Sequence, residues 1–220
     1  MNLTNALIPQ SWLLVSWLLF AVVLAKTLLA APWGALNQPG IFNLLLGASV
    51  VVLALWQIKA GIQPGLNLHL LGATALTLLF GPWFAILGLT LSLLLATAWD
   101  GAWQAFAVNG LLMAVLPVTV SWWIYRLVDS QLPNHFFIYV FLNAFIGAGL
   151  TVALMGFAVS WTLMLAGAYP LDYLLNHYLP YYLLMAWSEA MTTGMIMTLL
   201  VVYKPQWVAT FDDKNYIDHK

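Results

Sequence analysis

At 220 residues, with 64% hydrophobic and only 6% charged side chains, the chain lacks the polar surface a water-soluble domain needs, since such domains carry about 25% charged residues. A net charge of −1 argues against nucleic acid and against a polybasic membrane-surface role, and the absence of cysteine excludes disulfides, thiolate metal sites and cysteine catalysis. The composition predicts an all-α, polytopic membrane bundle whose main partner is lipid.

The N-terminal stretch MNLTNALIPQSW has no basic n-region, and no small-residue cleavage site follows the first apolar run. The expectation is therefore no signal peptide and a mature chain that begins at Met1. Apolar runs at 11–30, 41–60, 68–80, 83–98, 106–128, 135–167 and 178–203 predict about seven membrane segments, judged against the roughly 20 residues of a full span. The run at 68–80 is too short to cross squarely. Only Gly81-Pro82 separates it from the next, and proline blocks the preceding turn, so FGPW reads as a tight turn or a sharp kink. The organisation expected is a transmembrane domain over 1–203 and a short polar cytoplasmic tail, 204–220, extending into water. With the N-terminus outside, Lys26, Arg126, Lys204, Lys214 and Lys220 fall on the cytoplasmic side and only Lys59 falls outside, which favours N-out, C-in.

Few polar residues interrupt the apolar background. His69 opens the third run behind Gly65 and Asn67, residues that favour an irregular segment; it reads as a metal ligand or as an interfacial histidine. Asp100 lies in AWDGAW, where Asp-Gly is turn chemistry or places an anion near a cation site. Asn109 starts a span and either caps it or orients a buried ligand. Glu189 lies more than ten residues from either end of its run. A carboxylate at that depth costs a few kcal/mol and belongs in a bundle interior, where Thr192 and Thr193 are near neighbours able to hydrogen-bond it. Met191, Met195 and Met197 read as core filling. No G-x-S-x-G, H-E-x-x-H, Walker A or paired-carboxylate pattern is present, so no enzymatic activity is expected and any ATPase must come from another chain.

The middle of the chain resembles the CbiM/NikM family, the substrate-capturing membrane components of energy-coupling factor transporters for cobalt and nickel. The family runs approximately G-T-S-G-H-L-L-G-G-A, then L-L-G-P-W-A-A, G-D-G-G, G-A-N and a basic residue. Here His69-Leu70-Leu71-Gly72, Gly81-Pro82-Trp83, Asp100-Gly101, Asn109 and Arg126 follow that series, and Glu189-Ala190-Met191-Thr192-Thr193 resembles the family's E-G-x-I-T. The resemblance implies a bacterial inner-membrane protein that binds Ni2+ or Co2+ as substrate, holds no cofactor, and works with a coupling transmembrane subunit and two ATPases. It implies metal ligation by the Met1 amine and His69, with Asn2, Asn67, Asp100, Asn109 and Glu189 orienting ligands or compensating charge. The family usually begins M-H-I-P-(D/E)-G and uses the second-position imidazole. Asn2 stands there instead, and an amide is a poor ligand for these metals. Tyr182 stands about where many members carry another histidine. Two rival readings remain. One is a membrane protein of this fold that serves assembly or binds another substrate. The other, less favoured, is an intramembrane enzyme, because topology sets Glu189 and His69 at different depths.

Overall fold

The computed structural model describes residues 3–61, 63 and 65–212. Among the described residues, seven main helices follow in chain order, besides short 3-10 turns: α1 (Gln10–Ala30), α2 (Ile41–Gln57), α3 (Ala73–Asp100), α4 (Trp103–Gln131), α5 (Phe136–Leu165), α6 (Leu171–His177) and α7 (Leu179–Tyr203). Among them, α1, α3, α4, α5 and α7 are long and apolar enough to cross a membrane, and α2 is a shorter apolar helix. A two-stranded ribbon, β1 (Ala60–Gly61) with β2 (Asn67–Leu68), pairs antiparallel with Ala60 opposite Leu68.

The helices end where backbone chemistry ends them. Pro32, Pro39, Pro133 and Pro170 stand in the connections, and Gly40 and Gly101 close turns with positive φ. In α4 the turn widens to π geometry over Leu111–Val115, just ahead of Pro117, which has no N–H to give back to that turn. A longer π segment occupies Tyr139–Ile146 in α5.

α3 is two helices in one. At Gly81 the backbone takes φ 76° and ψ 171°, a region open essentially to glycine alone, and Pro82 follows. The consequence is a reversal. A Cβ placed on Gly88 would lie 3.4 Å from Leu76 Cδ2, whereas twelve residues of straight helix would separate these positions by about 18 Å. The first arm, 73–80, therefore folds back against the second, 82–100, as a helical hairpin. The expected short buried arm and the break at FGPW match this geometry. Its start differs from expectation: residues 67–68 are strand, and Gly72, at φ 70°, turns the chain so that the helix begins only at Ala73. The second arm is stitched to α2 by Ser92 Oγ, which donates to the Ser49 carbonyl at 2.8 Å.

Alternation of the helices gathers the connections on two faces. One, the near face, carries the N-terminal segment, the ribbon, the α3–α4 turn and α6. The far face carries the α1–α2 connection, the Gly81 reversal and the segment after α7; Ala35, Gln38, Leu79, Gln206 and Ala209 line a common cavity of about 240 Å³ there. Sequence reading extends the chain from α7 into solvent. Instead, residues 205–211 fold back into the bundle, with Val208, Thr210 and Phe211 buried. The reason is the Gly81 break. It strips the Leu78 and Leu79 carbonyls of helical partners, and an unsatisfied backbone group within a membrane costs several kcal/mol. Ala209 N donates to Leu79 O at 2.9 Å, and Thr210 gives Leu78 O both its N–H, 3.3 Å, and its hydroxyl, 2.7 Å.

Candidate metal-capture site

The site is assembled on the short segment that joins the ribbon to α3. His69 is 5% exposed. Its Nδ1 lies 3.0 Å from the Leu70 carbonyl, and since a carbonyl only accepts, Nδ1 carries the proton. Nε2 is left with its lone pair, and it is buried without a hydrogen-bond partner among the described residues. Burial holds the imidazole well below its ordinary value, so it is neutral at pH 7, the form that ligates metals.

Three groups fix the segment. Glu189, 2% exposed, accepts from Leu71 N at 2.8 Å and from Gly72 N at 2.7 Å. These amides precede the first turn of α3 and have no helical acceptor, so the carboxylate caps the arm from another helix. Trp56, buried near the end of α2, donates from Nε1 to Leu71 O at 3.2 Å and lays its ring against the imidazole, centroids 5.4 Å apart. Gly72 permits the close approach: a Cβ there would lie 2.9 Å from Val52 Cγ2.

The N-terminal segment is held just as specifically. Asn109 accepts from Leu3 N at 3.0 Å and donates to Leu3 O at 3.0 Å, the two bonds of a strand pair made by one side chain. Leu3 is completely buried, and Leu7 packs against the Gly65 turn of the loop that leads to His69. Met1 and Asn2 lie outside the described residues.

Asn109 does not cap its helix with its side chain; it pins the N-terminal segment. Glu189 is interior as expected, but its partners are backbone amides two and three residues from His69. The expectation that the two lie at different depths is therefore corrected; Thr192 and Thr193 line a cavity together with Glu189. Asp100 ends α3 and forms an ion pair with Lys59 at 3.4 Å, both about a third exposed, which ties the ribbon to the α3–α4 turn and contributes at most about 1 kcal/mol. Asn67 is half-buried in β2 opposite Gly61. Tyr182, two turns before Glu189 on α7, is buried against Gly156 of α5. Among the described residues no three of His, Cys, Asp and Glu cluster as a metal site. Trp56 and Thr210 were missed. Trp56 ends an apolar run like any anchor, and Thr210 gives no sequence signal.

Comparison with known proteins agrees with this architecture. A probable fused nickel transport protein, LarMN of Lactiplantibacillus plantarum (strain ATCC BAA-793 / NCIMB 8826 / WCFS1), is 36% identical over 97 residues, which is 43% of this chain but only 29% of that protein's length. A crystal structure of a truncated transition metal transporter superposes with TM-score 0.79 at 22% identity, covering 92% of this chain and 99% of its own. A second transition metal transporter superposes with TM-score 0.75 at 22% identity, covering 91% and 92%. The family model for CbiM, the cobalt uptake substrate-specific transmembrane region, matches residues 2–207, and this multi-pass membrane protein belongs to that family.

Proposed function

We propose that the protein is the substrate-binding membrane component of an energy-coupling factor transporter and captures a transition metal, nickel or cobalt, for uptake across a bacterial inner membrane. The observation that carries this is the His69 imidazole: buried, neutral, with Nε2 unpartnered among the described residues, on a segment held by Glu189, while Asn109 holds the N-terminal segment whose Leu7 packs against the loop leading to it. The metal is substrate, and the chemistry is ligand exchange. Water leaves the ion as His69 Nε2 and the Met1 amine enter, while Asn109 and Glu189 keep the two ligand-bearing segments in place. Asn2, Asn67 and Asp100 belong to the surroundings of that site. No bond of the substrate is made or broken beyond coordination, so the protein is not an enzyme. A coupling transmembrane subunit and two ATPases would drive release on the other side.

The near face is the outer one in this reading. Lys26, Arg126 and Lys204 lie toward the far face and Lys59 on the near face, which the positive-inside tendency supports. The transmembrane domain is placed at 1–203, with residues 205–211 packed back onto its far, cytoplasmic end rather than extending into water. A second reading, capture of a chelated metal or another substrate or service as an assembly subunit, is favoured by Asn2, which stands where the resembled family usually has an imidazole.

The test is calorimetric titration with Ni2+ and Co2+. Wild type should bind weakly and Asn2→His more tightly. His69→Ala and an N-terminally extended chain should each abolish binding. Affinity should rise as pH passes the free-amine range of about 7.7–8.0, because the amine must lose its proton to ligate. Tight binding that ignores both His69→Ala and the extension would place the metal elsewhere.

A further inference from the structure

The first arm of α3 is about two turns long, and a helix that short leaves orphan N–H groups at its start and orphan carbonyls at its end. Part of each set is taken up by one stretch of chain. Glu189, within α7, takes Leu71 N and Gly72 N. Ala209 and Thr210, just past the end of α7, take Leu79 O and Leu78 O. α7 and the segment after it thus grip the arm at both ends, about 12 Å apart along its axis.

The lower grip is itself braced. Tyr139 OH meets Thr210 Oγ1 at 2.6 Å, Tyr125 OH donates to Thr210 O at 3.3 Å, and Phe211 packs edge-on to Tyr139, centroids 5.0 Å apart. Thr210 therefore joins the arm to α4 and α5 on the far face, while the arm's other end leads through the Gly72 turn and Leu71 to Leu70 and His69. A helix two turns long transmits a displacement without bending, since it contains no other break.

We propose that Thr210, with the segment Val208–Phe211, is a positioning element for the substrate segment: it fixes the arm from the far face and so holds His69 in register with the N-terminal segment on the near side. Its functional consequence rests on the capture reading above; the mechanical link does not. A subunit that draws this segment away on the far face would loosen His69 without touching the site.

The experiment compares wild type, Thr210→Val, Thr210→Ser and Ala209→Pro in detergent. Amide hydrogen exchange is followed at Leu71 and Gly72, and Ni2+ release is followed by stopped flow. Thr210→Val removes the hydroxyl bonds, and Ala209→Pro removes the N–H given to Leu79. Each should speed exchange at Leu71 and Gly72 about tenfold and Ni2+ release several-fold, and Thr210→Ser should restore both. Leu163→Ala, a core truncation in α5 that lowers overall stability, should leave exchange at the two amides unchanged. Unchanged exchange in Thr210→Val and Ala209→Pro, or an increase no larger than Leu163→Ala gives, overturns the proposal. Altered exchange in a wild-type background that binds no nickel overturns the capture reading and leaves the link standing.

Discussion

Replacing Glu189 tests the joint on which the site depends. Its two oxygens accept two backbone N–H groups at 2.8 and 2.7 Å, both deep in the bundle. A hydrogen bond to a charged group contributes about 1.5–3 kcal/mol, and an orphaned buried donor costs a comparable amount. Glu189→Leu loses both bonds and should destabilise by about 3–6 kcal/mol. Glu189→Gln keeps one acceptor but turns its NH2 toward the other amide, so about half that loss is expected. At about 2–4 °C per kcal/mol for a chain of this size, Glu189→Leu should unfold on the order of 10 °C earlier in a thermal scan in detergent, with Glu189→Gln between it and wild type. Exchange of the Leu71 and Gly72 amides should follow the same order. A Glu189→Leu protein that unfolds within about 2 °C of wild type, with those amides still protected, would refute the capping argument.

Asn109→Ala should free the N-terminal segment. With no native cysteine in the chain, Leu3→Cys is a clean reporter, silent toward an impermeant thiol reagent in intact cells and labelled once Asn109→Ala is added; equal labelling in both backgrounds would contradict the clamp. His69 sets a pH dependence whose sign is fixed by burial. The folded imidazole resists the proton that the unfolded chain accepts near pH 6.5, so its contribution is complete above that value and stability falls as pH drops below it. Thermal midpoints recorded from pH 7.5 to 5 should therefore slope less steeply in His69→Gln, and an identical slope would show that other groups cause it.

Much of this architecture is legible in the sequence because it follows from local chemistry. Apolar runs have the length of a bilayer, Gly81-Pro82 cannot continue a helix, and a carboxylate ten residues inside a span must face protein. The partners are not legible. Leu71 and Gly72 meet Glu189 through backbone N–H groups, which every non-proline residue carries and no sequence pattern marks. Asn109 looks like a cap in one dimension and becomes a clamp only when the N-terminal segment is folded across it. Thr210 lies in a stretch whose charged neighbours suggest water. It is buried because a break 129 positions earlier leaves carbonyls in need of donors. Only the hairpin geometry of α3 creates that need.

The same grip sets a schedule for biosynthesis. Gly72 must wait 117 residues for Glu189, and Leu78 must wait 132 for Thr210. At about 5–20 residues per second the ribosome takes roughly 6–26 s to cover that distance. During this interval the first arm sits in or beside the bilayer with bare amides at one end and bare carbonyls at the other. The segment that carries His69 is thus among the last parts of the molecule to acquire its shape, and a chain interrupted before α7 would lack the carboxylate that holds Leu71 and Gly72.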